Sequence, residues 1–313
     1  MAALKRVVAI IGSGGVGIAS ARRLAGGRTL LLADASNERL QSALSTLRKE
    51  GYEPSGHILD VTNSSAVEQF AKQAAEEGPL DVVVHTAGVN PVSFSAKQIY
   101  DINLVGTANV IDAFQPHVGV GTSMICVASM AGHLAMGSIS AALQKHFALS
   151  PISSLLTHQE LSNNVEPGMA YTIAKAANIL RVQAAAKAYG DQGARINSVS
   201  PGIIYTVMGK DELEGPTGHM IKAMVDASAM KRVGTGDDVS KVVAFLAGPE
   251  SAYVTGSDIL VDGLLSFETR TSALLTLFQV DKRLRRNGFS LSFYLRLRSN
   301  VYVEGVDDGL IRM

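Results

Sequence analysis

A glycine-rich turn near the amino terminus constrains the fold of this chain more than any other stretch. A short apolar run leads into Gly12-Ser-Gly14-Gly15-Val-Gly17, and a segment of helical composition follows. Glycines at this spacing allow a tight turn and the close approach of a pyrophosphate, and the helix N-terminus favours its negative charge. Gly12, Gly14 and Gly17 therefore predict a dinucleotide site; the alternative is a plain tight turn.

The second apolar strand ends at Asp34, 22 residues after Gly12. A carboxylate at this distance is placed to hold the adenosine ribose hydroxyls. The same group would repel the 2′-phosphate of NADP, and no Arg or Lys occurs between Arg28 and Arg39 to receive one. Asp34 thus favours NAD as the cofactor, with NADP still possible. The alternative role for Asp34 is a helix N-cap, for which Ser36 is also available.

Apolar strands and helices alternate along most of the chain. Later strands end at Asp60-Val-Thr62, at His85-Thr-Ala-Gly88 and at Ser129. This alternation predicts a single-domain α/β fold with a doubly wound, Rossmann-type parallel sheet. Because ligands bind outside the carboxyl ends of such strands, these polar positions are expected at one edge of the sheet.

Tyr171 and Lys175 stand four residues apart in a helical segment and so share a helix face. A free phenol titrates near pKa ~10, and a neighbouring ammonium lowers that value. A tyrosine tuned in this way exchanges a proton with an alcohol or a carbonyl near neutral pH. The alternative is a half-buried ring beside a solvated charge.

Asn103 and Ser129 are two further candidate site residues, and each also has a purely structural interpretation. Asn103 falls inside a helix predicted over Ser95–Phe114, where it could simply face a neighbouring element. Ser129 ends the fifth strand and could be only a turn residue. The sequence around it lacks the G-x-S-x-G elbow of serine hydrolases.

The order of these motifs resembles the short-chain dehydrogenase/reductase family over about residues 5–263. The resemblance rests on the glycine turn, Asp60-Val61, Ala87-Gly88, Asn103, Ser129-x-x-Gly132, Tyr171-x-x-x-Lys175 and Pro201-Gly202-x-x-x-Thr206. It implies an NAD(P)-dependent oxidoreductase that interconverts a secondary alcohol and a ketone. It also implies a homodimer or homotetramer, since the helix after Tyr171 commonly pairs with its copy in this family.

The resemblance assigns a role to each motif residue. Tyr171 becomes the catalytic acid/base, Lys175 lowers its pKa and binds the nicotinamide ribose, and Ser129 holds the substrate oxygen. Asn103 positions a proton-relay water near Lys175. The cofactor-binding set then comprises Gly12, Gly14, Gly17, Asp34, Asp60 and Val61 beside the adenine, Ala87, Gly88, Tyr171, Lys175, Ile204, and Thr206 at the nicotinamide carboxamide.

Two departures from the family pattern lie near the glycine turn. The turn has the older Rossmann spacing and lacks the basic residue that NADP-preferring members often carry there. The family's Asn-Asn-Ala-Gly appears as His85-Thr-Ala-Gly88, so Thr86 replaces an Asn that would brace the sheet. This replacement puts local rigidity in question more than activity.

An insertion at residues 133–168 is the third departure, because Ser129 and Tyr171 are 42 positions apart. Its composition predicts two short helices, over 141–147 and 155–161, broken by proline. We expect a lid or substrate wall, with a surface excursion or a subunit contact as alternatives. Its histidines, His146 and His158, are expected to be solvated surface residues and not metal ligands.

The fourth departure is a tail, residues 264–313, that follows the catalytic domain of residues 1–263. Leu264 replaces the second glycine of the family's last motif, and about fifty residues follow that have no family counterpart. One interpretation is a mis-spliced or frameshifted terminus. The other is a genuine amphipathic extension that contacts a membrane or a partner.

Composition excludes several classes of function. The formal net charge is zero and the pI is about 7.1, which argues against a nucleic-acid-binding surface. One cysteine, Cys126, allows no disulfide within the chain, and no metal site is expected. We find no signal peptide or membrane span, so the sequence predicts a cytoplasmic protein whose partner is a small-molecule alcohol or ketone.

The region 207–230 is expected to hold the substrate. Its methionines (Met208, Met220, Met224 and Met230) could form an adaptable apolar wall or be ordinary packing residues.

The sequence leaves two alternatives to a dehydrogenase open. One is a catalytically idle NAD(H) sensor, and the other is a nucleotide-sugar epimerase or dehydratase, which normally carries a larger C-terminal domain.

Overall fold

The computed structural model describes residues 5–215 and 218–266 of the chain. Its strands are β1 (Val7–Ile11), β2 (Thr29–Asp34), β3 (Pro54–Ile58), β4 (Leu80–His85), β5 (Ser123–Val127), β6 (Arg195–Pro201), β7 (Ile204–Tyr205), β8 (Gly234–Thr235) and β9 (Asp258–Val261). Seven of them form one parallel sheet in the order β3-β2-β1-β4-β5-β6-β9, and β7 pairs with β8 separately. The predicted doubly wound α/β fold is confirmed.

Helices connect the strands and cover the sheet. They are α1 (Gly15–Leu24), α2 (Asn37–Lys49), α3 (Ser64–Glu77), α4 (Ala96–Ile99), α5 (Gly106–Phe114), α6 (Met130–Ala135), α7 (Ala141–Leu149), α8 (Pro167–Gly190), α9 (Val207–Glu214), α10 (Gly218–Ala227) and α11 (Gly236–Ala247). A π-helical turn, Tyr100–Val105, joins α4 to α5. Short 3₁₀ turns lie at Gln115–His117, Ile152–Ser154 and Pro249–Ser251.

Burial on both faces explains why the central strands are continuously apolar. Every residue of β1 and β4 is buried. One face packs against α3, α5 and α8, and the other packs against α1, α2 and α11. A strand covered on both sides has no solvent face, so it shows no polar alternation.

The strand order reverses at β1, which has β2 on one side and β4 on the other. The connections that leave this point run over opposite faces of the sheet, so a crevice opens at the carboxyl ends of β1 and β4. The glycine turn follows β1 and the His85-Thr-Ala-Gly88 segment follows β4. Both predicted cofactor segments therefore border the crevice.

The helix predicted over Ser95–Phe114 forms, but it is not a uniform α-helix. Ser95 caps its first turn in a reciprocal arrangement with Gln98. The π-helical turn then interrupts it, and Asn103 lies within that turn. Single π-helical turns inside α-helices are frequent at functional sites. The periodicity of apolar residues did not predict this irregularity.

The insertion packs closely against the rest of the domain. Its Leu143, Phe147 and Leu155 are almost fully buried and share a cluster with Ala170 and Ala174 of α8. These contacts anchor the insertion on α8; its role as a lid or substrate wall stays a prediction. No helix within the described residues has the length and apolarity needed to cross a bilayer.

One of the two helices predicted in the insertion is wrong. Residues 141–149 form α7, but residues 155–161 form turns. The side chain of His158 accepts a hydrogen bond from the Glu160 backbone N–H, and that of Ser162 accepts one from Asn164. These local bonds compete with a helix for the same backbone donors.

The predicted tail lies outside the described residues from position 267 onward. At its start, Leu264 has a φ of 72°, in the left-handed region. A side chain with a Cβ is disfavoured there, whereas glycine is not. The departure from the family's glycine at this position therefore introduces backbone strain.

We expect Leu264→Gly to stabilise the domain. Relief of the left-handed strain outweighs the entropy that glycine adds to the unfolded chain, so the free energy of unfolding should rise by about 0.5–1 kcal/mol. Urea denaturation measures this change. The control is Leu260→Gly on β9, where φ is not positive and the same replacement should destabilise. A Leu264→Gly protein no more stable than the parent would contradict the strain assignment.

Candidate active site

The glycine turn follows β1 in a conformation that only glycine adopts readily. Gly12 has a φ of 107°. A Cβ on Gly12 would lie 2.4 Å from Thr86 Oγ1, and one on Gly17 would lie 1.9 Å from the Gly12 carbonyl oxygen. Strand β1, helix α1 and the segment after β4 therefore approach one another more closely than side chains would permit.

Helix α1 begins at this turn with unused backbone donors. Its N-cap, Gly14, provides no side-chain hydrogen bond to the first turn. A Cβ on Gly14 would have no atom within 4 Å, so open space faces the turn. Exposed N–H groups and the helix dipole favour a phosphate at this point. The turn thus fits the pyrophosphate of a dinucleotide.

The segment after β4 is tied back to β1. Thr86 and Ala87 donate their backbone N–H groups to the Ile11 carbonyl at 2.7 and 2.9 Å. The Thr86 hydroxyl donates to the Gly12 carbonyl at 2.9 Å. Sequence analysis expected less rigidity here because Thr86 replaces an Asn. Thr86 nevertheless braces the glycine turn with its hydroxyl group.

Asp34 is buried at the end of β2 and accepts several hydrogen bonds. Ser13 donates its backbone N–H and its hydroxyl to Oδ2, both at 2.8 Å, and the Ser36 N–H donates to Oδ1 at 2.9 Å. Burial acts to raise the pKa of Asp34, but hydrogen bonds from Ser36, Ser13 and Arg39 outweigh it and hold the pKa below its usual value. Ser36, not Asp34, accepts the capping bond from α2.

Arg39 is a residue that sequence analysis misjudged. The prediction of NAD counted only the residues between Arg28 and Arg39 and so left Arg39 itself out. In the fold its guanidinium forms an ion pair with Asp34 at 3.1 Å, while 60% of its side chain stays exposed. The first turn of α2 bends back over the end of β2, which brings position 39 to position 34. The charge beside the predicted ribose site is therefore partly compensated.

The residues predicted to surround the adenine lie at the end of β3. Asp60 is exposed, and its Oδ1 accepts hydrogen bonds from the Thr62 N–H and hydroxyl. Val61 is buried beneath Gly106, and its carbonyl accepts from the Asn109 amide at 2.8 Å. Asp60 is thus held in a turn on the solvent side, and Val61 anchors that turn.

Thr206 lies beside the glycine turn although it follows a distant strand. Its Cγ2 would be 2.7 Å from a Cβ on Gly15. Its hydroxyl accepts the Gly209 N–H and so caps α9. Ile204, on β7, is buried against Gly234. The predicted nicotinamide contacts and pyrophosphate contacts therefore belong to one crevice.

Asn103 is fully buried and holds the loop after Gly88. Its side-chain oxygen accepts the Val89 N–H at 2.8 Å, and its amide donates to the Val89 carbonyl at 2.9 Å. A Cβ on Gly88 would lie 3.1 Å from Asn103 Oδ1 and 3.6 Å from Lys175 Nζ. Asn103 and Lys175 are therefore neighbours, as the family resemblance implies.

Tyr171, Lys175 and Ser129 come together at the carboxyl end of β5. Lys175 Nζ lies 5.7 Å from the centroid of the Tyr171 ring and donates to the Val127 carbonyl at 3.1 Å. The Ser129 hydroxyl lies close enough to the Tyr171 phenol to lower its pKa. Ser129 also caps α6, so the turn alternative from the sequence is part of its role.

Burial is the main influence on the pKa values of Tyr171 and Lys175. It raises the pKa of Tyr171 to about 12; the nearby Glu212 carboxylate adds to this rise and the Ser129 hydroxyl opposes it. Burial also lowers the pKa of Lys175 to about 8. Sequence analysis expected Lys175 to hold the Tyr171 pKa below 10. The loss of hydration and the Glu212 charge instead raise it.

Glu212, on α9, is a residue that sequence analysis missed. Its carboxylate lies close enough to affect Tyr171, and burial raises its own pKa, with a further contribution from Asp211. The residue lies in the region expected to hold the substrate. No pattern in the sequence distinguishes it from the acidic residues on either side.

The methionines of the predicted apolar wall do not all lie in the same surroundings. Met224 packs with Met130, Val225 and Leu265, whereas Met220 and Met230 are largely exposed. Only part of the set is therefore ordinary packing.

The sequence predicted that the two histidines of the insertion are solvated surface residues. In the structure they contact each other and neighbouring groups. Their rings lie 4.9 Å apart, and His146 contacts Ser150 at 2.8 Å and the Leu155 carbonyl at 3.1 Å. The folding of residues 150–158 back onto α7 brings them together. Within the described residues, no group of three or more His, Cys, Asp or Glu side chains could hold a metal ion.

Comparison with known proteins identifies the family. A family profile described as short chain dehydrogenase matches residues 6–143, and one described as Enoyl-(Acyl carrier protein) reductase matches residues 139–263. The short-chain dehydrogenase/reductase bsc3 of Alternaria brassicicola is 36% identical over 255 residues, which cover 81% of this chain and 93% of that protein. Sorbose reductase sou1 of Schizosaccharomyces pombe is 30% identical, covering 80% and 92%.

Solved structures agree with this result at the level of the fold. A short-chain dehydrogenase/reductase from Serratia marcescens is similar with a TM-score of 0.66 at 22% identity, covering 84% of this chain and 99% of that one. A short-chain type dehydrogenase/reductase from Mycobacterium ulcerans has the same score and identity, covering 85% and 92%. The chain belongs to the short-chain dehydrogenase/reductase family and is an oxidoreductase that acts on CH–OH or carbonyl groups with NAD(P).

Two glycine substitutions should separate folding from cofactor binding. Gly17→Ala places a methyl group against the Gly12 carbonyl, so stability should fall by about 1–3 kcal/mol. Gly14→Ala meets no protein atom, so stability should change by less than about 1 kcal/mol. Because its methyl group fills the space for the pyrophosphate, dinucleotide affinity should fall about tenfold or more.

Denaturant titration and calorimetric titration with NAD and NADP measure these two effects. The control is Gly26→Ala, which also meets no atom within 4 Å but lies beyond the end of α1. It should change neither quantity appreciably. A Gly14→Ala protein that binds both dinucleotides as the parent does would contradict the assignment of the turn.

Proposed function

We propose that this protein interconverts a secondary alcohol and a ketone, with Tyr171 as the acid/base. The convergence of Tyr171, Ser129 and Lys175 at the end of β5 carries this proposal. NAD or NADP, when bound, supplies the hydride chemistry. The chain then has to orient one oxygen and move one proton.

Ser129 and Tyr171 are suited to bind the same substrate oxygen. Their hydroxyl groups lie near each other, so one substrate oxygen can lie within reach of both. Ser129 would orient the carbonyl and stabilise the charge that develops on it. Tyr171, protonated at neutral pH, would donate the proton during ketone reduction and accept it during alcohol oxidation.

Lys175 would assist proton transfer by Tyr171. Burial brings its pKa to about 8, so it can bind or release a proton near neutral pH. Its ammonium would also attract the ribose hydroxyls of the cofactor. We propose that a water beside Lys175 and the main-chain carbonyl of Asn103 completes the path by which Tyr171 recovers its proton.

We propose NAD as the preferred dinucleotide. Asp34 is ionised and buried, and its negative charge faces the expected ribose site, where a 2′-phosphate would be repelled. Arg39 moderates this preference, because its exposed guanidinium could turn toward a phosphate. The preference for NAD is therefore expected to be moderate and to depend on Arg39.

The rival functions remain outcomes of the test. An idle sensor would bind dinucleotide without turnover, and a nucleotide-sugar epimerase would act on a much larger substrate. The match covers 93% of bsc3 and 92% of sou1, which are named as a dehydrogenase/reductase and a sorbose reductase. Assembly into a homodimer or homotetramer stays a prediction from the family resemblance.

Replacement of the tyrosine tests the function. Purified protein is supplied with NADH or NADPH and a panel of ketones, and with NAD or NADP and the matching alcohols, while reduced-nicotinamide absorbance is followed. Tyr171→Phe should lower kcat by about 10²–10⁴-fold, because the acid/base is lost. Ser129→Ala should lower kcat by about 10²-fold, since one oxygen-binding group is removed.

Cofactor affinity controls for damage to the fold. Both variants should still bind dinucleotide, because neither side chain shapes the glycine turn; Tyr171→Phe should bind it less tightly than Ser129→Ala, since Tyr171 belongs to the cofactor-binding set. Turnover that survives in Tyr171→Phe would contradict the proposed mechanism. Tight binding without turnover across the panel in the parent would favour the sensor.

Glu212→Gln should shift the pH dependence of alcohol oxidation to lower pH. The Glu212 carboxylate raises the pKa of Tyr171, so a neutral amide lowers that pKa and the deprotonated phenol forms at lower pH. The measurement is the alkaline-rising limb of kcat/KM, which reports groups of the free enzyme.

The matched control is Glu214→Gln on the same helix. Glu214 is exposed and pairs with Lys210 at 3.8 Å. Its removal should leave the limb in place. An unchanged limb in Glu212→Gln, or an equal shift in both variants, would show that Glu212 does not act on Tyr171.

A further inference from the structure

A chain of buried hydrogen bonds links β4 to the main-chain carbonyl of Asn103. The Thr107 hydroxyl lies 2.7 Å from the Asn103 carbonyl oxygen. His85 Nε2 lies 3.0 Å from the same hydroxyl. Both His85 and Thr107 are almost completely buried, so water does not compete for these bonds. This series of hydrogen bonds lies next to the active site. Asn103 is its one member that has been assigned to the active site above.

The distances decide which nitrogen of His85 carries its proton. A contact of 2.7 Å between the Thr107 and Asn103 oxygens needs a hydrogen between them, and a hydroxyl has only one. Thr107 therefore donates to Asn103 and accepts from His85. The proton of the neutral imidazole must then be on Nε2, and Nδ1 is a bare acceptor.

The surroundings keep this imidazole neutral. Burial, with a smaller contribution from the charge of Lys175, lowers the pKa of His85 to about 3. In the parallel ladder its partner on β5 is Cys126, which burial keeps as the thiol by raising its pKa to about 12. Lys175 is thus the charged group of this cluster, and His85 can supply a donor without adding a second cation.

The unused nitrogen argues against a purely structural role. His85 Nδ1 is buried and has no hydrogen-bond partner among the described residues. An unsatisfied buried polar atom is unfavourable, and an apolar side chain could fill the end of a sheet strand without that penalty. A histidine kept here is better explained by what its other nitrogen does.

We propose that His85 and Thr107 are positioning residues that orient the Asn103 carbonyl toward the proton path of Lys175. His85 donates to Thr107, which forces the Thr107 hydrogen onto one lone pair of that carbonyl. The other lone pair is left for the water beside Lys175. Asn103 lies in the π-helical turn and Thr107 stands four residues after it in α5, so the Thr107 hydroxyl reaches back to the Asn103 carbonyl.

This inference rests on the proposed acid/base role of Tyr171 and Lys175. Two pairs of variants test it. Thr107→Val removes the hydroxyl at nearly constant shape, and Thr107→Ser keeps it. His85→Asn places its polar atoms near Nδ1 and cannot reach Thr107, whereas His85→Gln carries an N–H close to the Nε2 position.

Thr107→Val and His85→Asn should lower kcat about tenfold with little change in KM, because only the proton path is disturbed. The solvent deuterium isotope effect on kcat should rise in both variants, since proton movement becomes limiting. Thr107→Ser and His85→Gln should recover most of the lost turnover. Thermal unfolding of all four variants accounts for any loss of folded protein.

A different pattern overturns the proposal. If kcat falls in step with stability and the solvent isotope effect is constant, the pair is only structural. If Thr107→Val and Thr107→Ser behave alike, the hydroxyl is irrelevant. Loss of turnover in these variants while Tyr171→Phe remains active would instead refute the proposed function.

Nitrogen-15 NMR gives a test that needs no turnover. Histidine-labelled protein should show one imidazole, absent from His85→Gln, that is protonated on Nε2 and does not titrate through neutral pH. A proton on Nδ1, or titration of this ring near pH 6–7, would contradict the hydrogen-bond assignment.

Discussion

The parallel pairing of β1 with β4 is the constraint on which the rest of the site depends. Ile11 and His85 are register partners at its carboxyl end, and the Ile11 carbonyl accepts two backbone N–H groups from the segment that follows. The glycine turn and the His85-Thr-Ala-Gly88 segment leave the sheet at the same level. Their backbones touch, because a Cβ on Gly12 would overlap Thr86. The crevice for the dinucleotide is a direct consequence of this register.

The strands and helices beyond β4 bring the predicted catalytic side chains to this crevice. β5 pairs with β4 and ends one turn before Ser129, and α8 crosses this end with Tyr171 and Lys175. Lys175 is buried, so its charge acts through a medium of low polarity and influences His85 and Cys126 more strongly than a surface lysine would. His85 and Cys126 are neutral mainly because of their own loss of hydration; the Lys175 charge adds to this effect at His85 and opposes it at Cys126.

The insertion and the last described residues both pack near the turn and helix that carry Ser129 and Tyr171. The insertion packs on α8 through Leu143, Phe147 and Leu155 and leaves Tyr171 at its border. Across the site, the buried Leu265 packs with Met130 and Val225, which connects the last described residues to the turn after Ser129.

The sequence by itself determined the doubly wound sheet, the order of its strands along the chain and the motif residues that meet at its carboxyl edge. These properties follow from local periodicity and from glycines whose backbone angles no other residue adopts easily. Only the tertiary structure decided the environment of each group. It brought Arg39 to Asp34 and His85 to Thr107, placed a π-helical turn at Asn103, and raised the Tyr171 pKa that the sequence predicted to be low. Spacing indicates which side chains share an element, whereas burial and contacts between elements distant in sequence set their charges and partners.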